Sequence, residues 1–72
     1  MLQLYTTAGC HLCEHAEEIL YDLSVRFEAV DIADDPSLIE RYGVRIPVLR
    51  DDAGQELGWP FDGTAVQRFL AL

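Results

Sequence analysis

A strand-like run, an amphipathic helix and a second strand-like run occupy residues 1–32, and this constrains the fold of the 72-residue chain most tightly. Leu2-Gln3-Leu4-Tyr5-Thr6 is apolar and β-favouring, and Thr7-Ala8-Gly9 turns out of it. From Cys10 to Leu23 the apolar residues Leu12, Ala16, Ile19, Leu20 and Leu23 recur at helical spacing, with Glu14, Glu17, Glu18 and Asp22 between them. Phe27-Glu28-Ala29-Val30-Asp31-Ile32 is the second strand, its two acids suiting a sheet edge. Two strands joined by a helix run parallel, with a right-handed crossover.

The rest of the chain adds a helix, a hairpin and a final helix. Asp35 is an N-cap and Pro36 the first helical residue, Leu38, Ile39 and Tyr42 form an apolar face, and Gly43 ends the helix. Val44-Arg45-Ile46-Pro47-Val48-Leu49-Arg50 is strand-like, with Pro47 near its start, where a missing N–H is tolerated. Asp51-Asp52-Ala53-Gly54 turns into a returning strand, Gln55-Glu56-Leu57. After Gly58-Trp59-Pro60-Phe61, Asp62 caps a last helix whose apolar face is Val66, Phe69 and Leu70. The order β-α-β-α-β-β-α predicts an α/β domain over residues 1–72, a four-stranded mixed sheet flanked by three helices.

A domain this small buries about 60% of its unfolded surface, and its stability is expected at about 4–11 kcal/mol. Thirteen carboxylates against five arginines and no lysine leave a formal net charge of −8. Phosphate binding wants a basic patch, so nucleic acid is not an expected partner, and an anionic membrane surface is disfavoured for the same reason. No apolar run reaches the roughly 20 residues that span a bilayer, and no signal-peptide pattern is visible. The expectation is a cytoplasmic monomer, where paired cysteines serve redox or metal chemistry.

The only two cysteines form Cys10-His11-Leu12-Cys13 at the start of the first helix. A stabilising cross-link gains most by closing a long loop, and this pair closes almost none. A redox couple fits the spacing: one thiol at the helix N-terminus, the second a turn further in. The partial positive charge of the helix start favours the Cys10 thiolate. A protonated His11 adds to this, and Glu14 opposes it.

Metal chemistry asks more than the sequence supplies. His11 and His15 point away from Cys10 and Cys13 on a helix, and structural zinc usually needs a second ligand pair. Covalent haem attachment needs His at position 14, where this chain has Glu14.

Cys10-x-x-Cys13 after the first strand, Pro47 opening the third, and this element order together resemble the thioredoxin fold, most nearly a short stand-alone glutaredoxin. The resemblance implies that Cys10 attacks and Cys13 resolves. It also implies that Pro47 is cis beside the dithiol, and that the backbone of Ile46 pairs with a bound thiol substrate. With Ile46, Pro47 and Asp62, the candidate substrate side takes in His11 and Leu12 between the cysteines, Arg45, which can bind a substrate carboxylate or form a surface ion pair with a nearby acid, and Trp59 and Phe61, which serve as core or cap residues or as a peptide-binding patch. Glutaredoxins usually carry Gly-Gly and then an Asp that holds the γ-glutamyl end of glutathione. Gly58 and Asp62 match that motif, and Trp59-Pro60-Phe61 departs from it.

The expected function is dithiol–disulfide exchange with a protein or small-molecule disulfide and a separate reductant, with no tightly bound cofactor. Glutathione is expected to be at best a weak co-substrate. Two other readings stand beside it: a non-enzymatic binding module on a thioredoxin fold, and a metal- or cluster-binding protein using Cys10 and Cys13.

Overall fold

In the computed structural model, which describes residues 1–71, the central strand β1 (Gln3–Thr6) pairs on both of its edges. On one edge it runs parallel to β2 (Glu28–Asp31), and on the other antiparallel to β3 (Val48–Arg50), which pairs antiparallel with β4 (Glu56–Gly58). The sheet order is β2-β1-β3-β4, so β2 is an edge strand, as its acids suggested. Helices α1 (His11–Asp22), α2 (Pro36–Tyr42) and α3 (Gly63–Leu70) complete the α/β fold, and a single 3-10 turn, Ile32–Asp34, leads into α2.

Strand pleating sends neighbouring residues of β1 into different cores. Leu2 and Leu4 join Leu49 with Ala16 and Leu20 of α1, Val66 and Phe69 of α3, and Phe61. Tyr5 and Val48 face the other way and pack with Ile32 and Tyr42, flanked by Val30, Leu38 and Ile46. The sheet is therefore the middle of three layers, with α1 and α3 on one side and α2 on the other.

Acids do the local work of starting elements. Asp31, Asp35 and Asp62 each accept a backbone N–H, from Ala33 (2.9 Å), Ser37 (2.8 Å) and Ala65 (2.8 Å) respectively. These bonds satisfy donors that a helix start leaves orphaned. In the β3–β4 turn, Asp51 accepts from Ala53 and Gln55 at 2.9 and 2.8 Å, and Gly54 takes a positive φ of 86° that favours glycine.

Several expectations from the sequence are corrected. The third strand begins at Val48, not Val44, because the N–H groups of Arg45 and Ile46 turn back to the Tyr42 carbonyl at 2.8 and 3.0 Å. Pro47 has no N–H to extend the ladder. Leu12, Ile39 and Leu70 were assigned to inward faces and are instead exposed. Each sits at the rim of its helix's apolar stripe, and the short helices bury only its centre line. Ile32 leaves β2 and enters the 3-10 turn, where it is buried.

Leu20 is fully buried and Leu12 is 49% exposed. Leu20→Ala is expected to lose about 2–5 kcal/mol, a large share of the stability of so small a domain. Leu12→Ala should change it by less than about 0.5 kcal/mol. Chemical denaturation of both variants checks the pair.

Candidate functional site

Cys10 sits where β1 hands the chain to α1, just after Gly9 turns with a φ of 77°. It is the N-cap residue of α1, the place that aspartate fills at the other helices. Its Sγ accepts the Cys13 backbone N–H at 3.1 Å, and its carbonyl accepts the Glu14 N–H. A sulfur so placed meets the positive end of the helix dipole and a directed N–H, both of which favour a thiolate over a thiol.

The two cysteines are joined as a disulfide, with Cα atoms 5.2 Å apart. Their surroundings differ. Cys10 is half-buried, whereas Cys13 is 1% exposed, one turn above Ala16 on the buried face of α1. Cys10 is thus the more accessible residue of the pair, and Cys13 is shielded from solvent.

Sheet register brings distant residues to this end. Tyr5 pairs with Val48, and Val48 with Gly58, so Pro47 and Trp59 lie just beyond the paired residues on the side where β1 ends. The Trp59 N–H donates to the Pro47 carbonyl at 3.1 Å, and the Ile46–Pro47 and Trp59–Pro60 peptides are both cis. Trp59 is half-buried, its ring 5.0 Å from Phe61 in an edge-on contact and 6.4 Å from His15.

The other sequence-assigned residues divide by environment. His11 and Leu12 are exposed between the cysteines, and His11 Nδ1 lies 3.3 Å from Glu14. Asp62 caps α3 with one carboxylate oxygen and remains exposed. Phe61, assigned to the substrate side, is only 7% exposed and belongs to the larger core, leaving its outer edge in a shallow groove with Pro60, Asp62 and Ala65. Ile46 has its N–H already donated to Tyr42. A substrate strand at this position therefore meets a backbone with one of its two pairing groups already used.

Arg45 is paired with Glu56 of β4, its Nη2 3.2 Å from Oε1. The other carboxylate oxygen, Oε2, accepts the hydroxyl of Tyr42, whose buried ring stacks on Tyr5 at 4.3 Å. The Tyr42 hydroxyl foremost, with the Arg45 guanidinium, holds the Glu56 carboxyl below its usual range despite the opposing effect of burial. Burial first, and then the bond to Glu56, push the Tyr42 phenol upward, so it stays a donor. Glu56 was not singled out from the sequence, and Tyr42 was read as packing alone. The available signal was that a buried tyrosine hydroxyl needs a partner. Among the described residues no group of three or more His, Cys, Asp and Glu side chains is arranged to hold a metal ion, and no helix is long and apolar enough to cross a membrane.

Comparison with known proteins agrees with this geometry. The family model of the Glutaredoxin-like domain (DUF836) matches residues 1–71. The X-ray structure of protein XcR50 from X. campestris is 44% identical and superposes with a TM-score of 0.93, covering 99% of this chain and 96% of that one. Protein Ne2328 from Nitrosomonas europaea is 28% identical, with a TM-score of 0.80 over 94% of this chain and 87% of its own. Thioredoxin 1 from Thermosipho africanus, at 16% identity and a TM-score of 0.58 over 97% and 93% of the two chains, shares the fold. No curated protein matches the chain by sequence.

Because its folded carboxyl is depressed below the ordinary value of 4.5, Glu56 stabilises the fold above that pH and loses its contribution as pH falls through the lowered value. Glu56→Gln should therefore be less stable than the natural chain by about 1–2 kcal/mol at neutral pH. The gap should narrow on acidification. Unfolding free energies measured between neutral and strongly acidic pH check the sign, and a gap that widens in acid would refute it.

Proposed function

Because the chain belongs to the Glutaredoxin-like domain family (DUF836), we propose that it is a small dithiol–disulfide oxidoreductase working through Cys10 and Cys13. The observation that carries this reading is the asymmetry of the pair. A half-buried sulfur caps a helix and a fully shielded one lies within bonding reach of it.

The chemistry follows from that asymmetry. The Cys10 thiolate attacks one sulfur of a substrate disulfide, forming a mixed disulfide and expelling the other substrate sulfur as a thiolate, which takes up a proton. Cys13 then loses its proton and attacks Cys10 Sγ, releasing the second substrate thiol and leaving the Cys10–Cys13 disulfide. Two electrons pass from the dithiol to the substrate, and a separate reductant restores the pair. The more accessible Cys10 suits the first step and the shielded Cys13 the second.

Serine variants test the assignment. Cys10→Ser should bring disulfide reduction down to the uncatalysed rate. Cys13→Ser should keep the first attack and accumulate a mixed disulfide, visible as an added mass on the intact protein. No adduct with any disulfide would count against the scheme.

The reductant is the open half of the cycle. Trp59 and Pro60 stand where glutaredoxins present bare backbone to glutathione, and the Ile46 N–H is occupied within the chain. Reduction of the oxidised protein by glutathione should therefore be slow, and a thioredoxin reductase system should serve better. Fast glutathione-coupled turnover would overturn this part of the proposal.

A further inference from the structure

We infer that Glu56 is a positioning residue for the substrate side of the dithiol site, clamping through Tyr42 and Arg45 the segment that ends at Ile46-Pro47. The inference rests on the oxidoreductase reading and adds to it the residue that holds the docking edge in place. Glu56 lies on β4 opposite Arg50, away from the cysteines, and touches neither of them.

Its two carboxylate oxygens bind the two ends of one short segment. Oε2 accepts from the hydroxyl of Tyr42, the last residue of α2, and Oε1 accepts from Nη2 of Arg45 at 3.2 Å. Tyr42 is held further by its stack on Tyr5, with ring centroids 4.3 Å apart and planes within 13°. The Arg45 guanidinium also lies over the Tyr42 ring, 5.5 Å from its centroid. From the backbone side, the Tyr42 carbonyl accepts the N–H groups of both Arg45 and Ile46.

The segment 42–46 is thus a loop closed twice, once through backbone bonds and once through a carboxylate. Glu56 is 20% exposed and Arg45 47%, so the outer closure is partly shielded from water and its charge-assisted bonds keep part of their strength. Ile46 and Pro47 follow directly, and the Pro47 carbonyl receives Trp59. A carboxylate on the edge strand therefore reaches Ile46 and Pro47, at the sheet end where β1 leads toward α1, through one side chain and one backbone turn.

This assigns Arg45 differently from a substrate-carboxylate ligand, and the two roles give opposite results in one experiment. Reduced natural protein, Glu56→Gln, Arg45→Ala and the double variant are each reacted with two probes. One is a synthetic peptide with a single intramolecular disulfide and a free C-terminal carboxylate, and the other is dipyridyl disulfide, which has no chain to lay along the docking edge. In single turnover of the reduced protein, the clamp predicts that Glu56→Gln raises the half-saturating peptide concentration (the KM readout) by about five-fold or more, with the limiting rate and the dipyridyl disulfide rate within about two-fold of the natural chain. Arg45→Ala should match it, and the double variant should be no worse than either single one.

A Glu56→Gln variant with lowered or unchanged KM, Arg45 having been freed for the substrate, would overturn the positioning role. So would equal losses with both probes, which would mark a general structural defect. Failure of the unsubstituted protein to reduce either probe would instead reject the oxidoreductase reading itself, and the clamp with it.

Discussion

Everything in this fold hangs on the pairing of β1 along both of its edges. Its parallel ladder with β2 sets the helical crossover, and its antiparallel ladder with β3 sets the hairpin. The pleat of the same strand divides the core, sending Leu4 to α1 and α3 and Tyr5 to α2. Where β1 ends, α1 begins, and Cys10 stands at the junction. A slip of one residue in the β1–β3 register would exchange the two faces of β3.

The site works by contrast between neighbours rather than by accumulating charged groups. Cys10 replaces the aspartate that caps the other helices, so the N–H that would satisfy a carboxylate instead meets a sulfur. Cys13, three residues on, is placed by helical geometry on the buried face. The surrounding loops come from β3 and β4, and their backbones are joined by the bond from Trp59 to Pro47. The clamp through Glu56 extends that scaffold to the sheet edge.

Much of this was legible from residue order. Helical spacing placed Ala16, Leu20, Val66 and Phe69 inside, and the aspartates before Pro36 and Gly63 marked helix starts that the structure keeps. Periodicity gives the direction of an apolar face but not its width, so Leu12, Ile39 and Leu70 were placed inward although they lie at the rim. The run from Val44 to Arg50 has strand composition throughout. Its first half nonetheless turns on the Tyr42 carbonyl, a local competition that composition does not register. Phe61 was legible as an aromatic that either packs in the core or lines the substrate side, and the choice between them depended on where β4 delivers the chain.

By itself the sequence determined the element order, the apolar faces of the helices and a dithiol at a helix start, since each follows from the order and spacing of residues along the chain. The tertiary structure alone decided that the Trp59 N–H bonds the Pro47 carbonyl, and that Tyr42, Arg45 and Glu56 form one hydrogen-bonded unit. Those contacts join residues on separate elements, the Tyr42–Glu56 bond spanning 14 positions. The physical reason is that such bonds require a sheet register that brings separate elements together and partial shielding from water, and neither exists until the chain has folded.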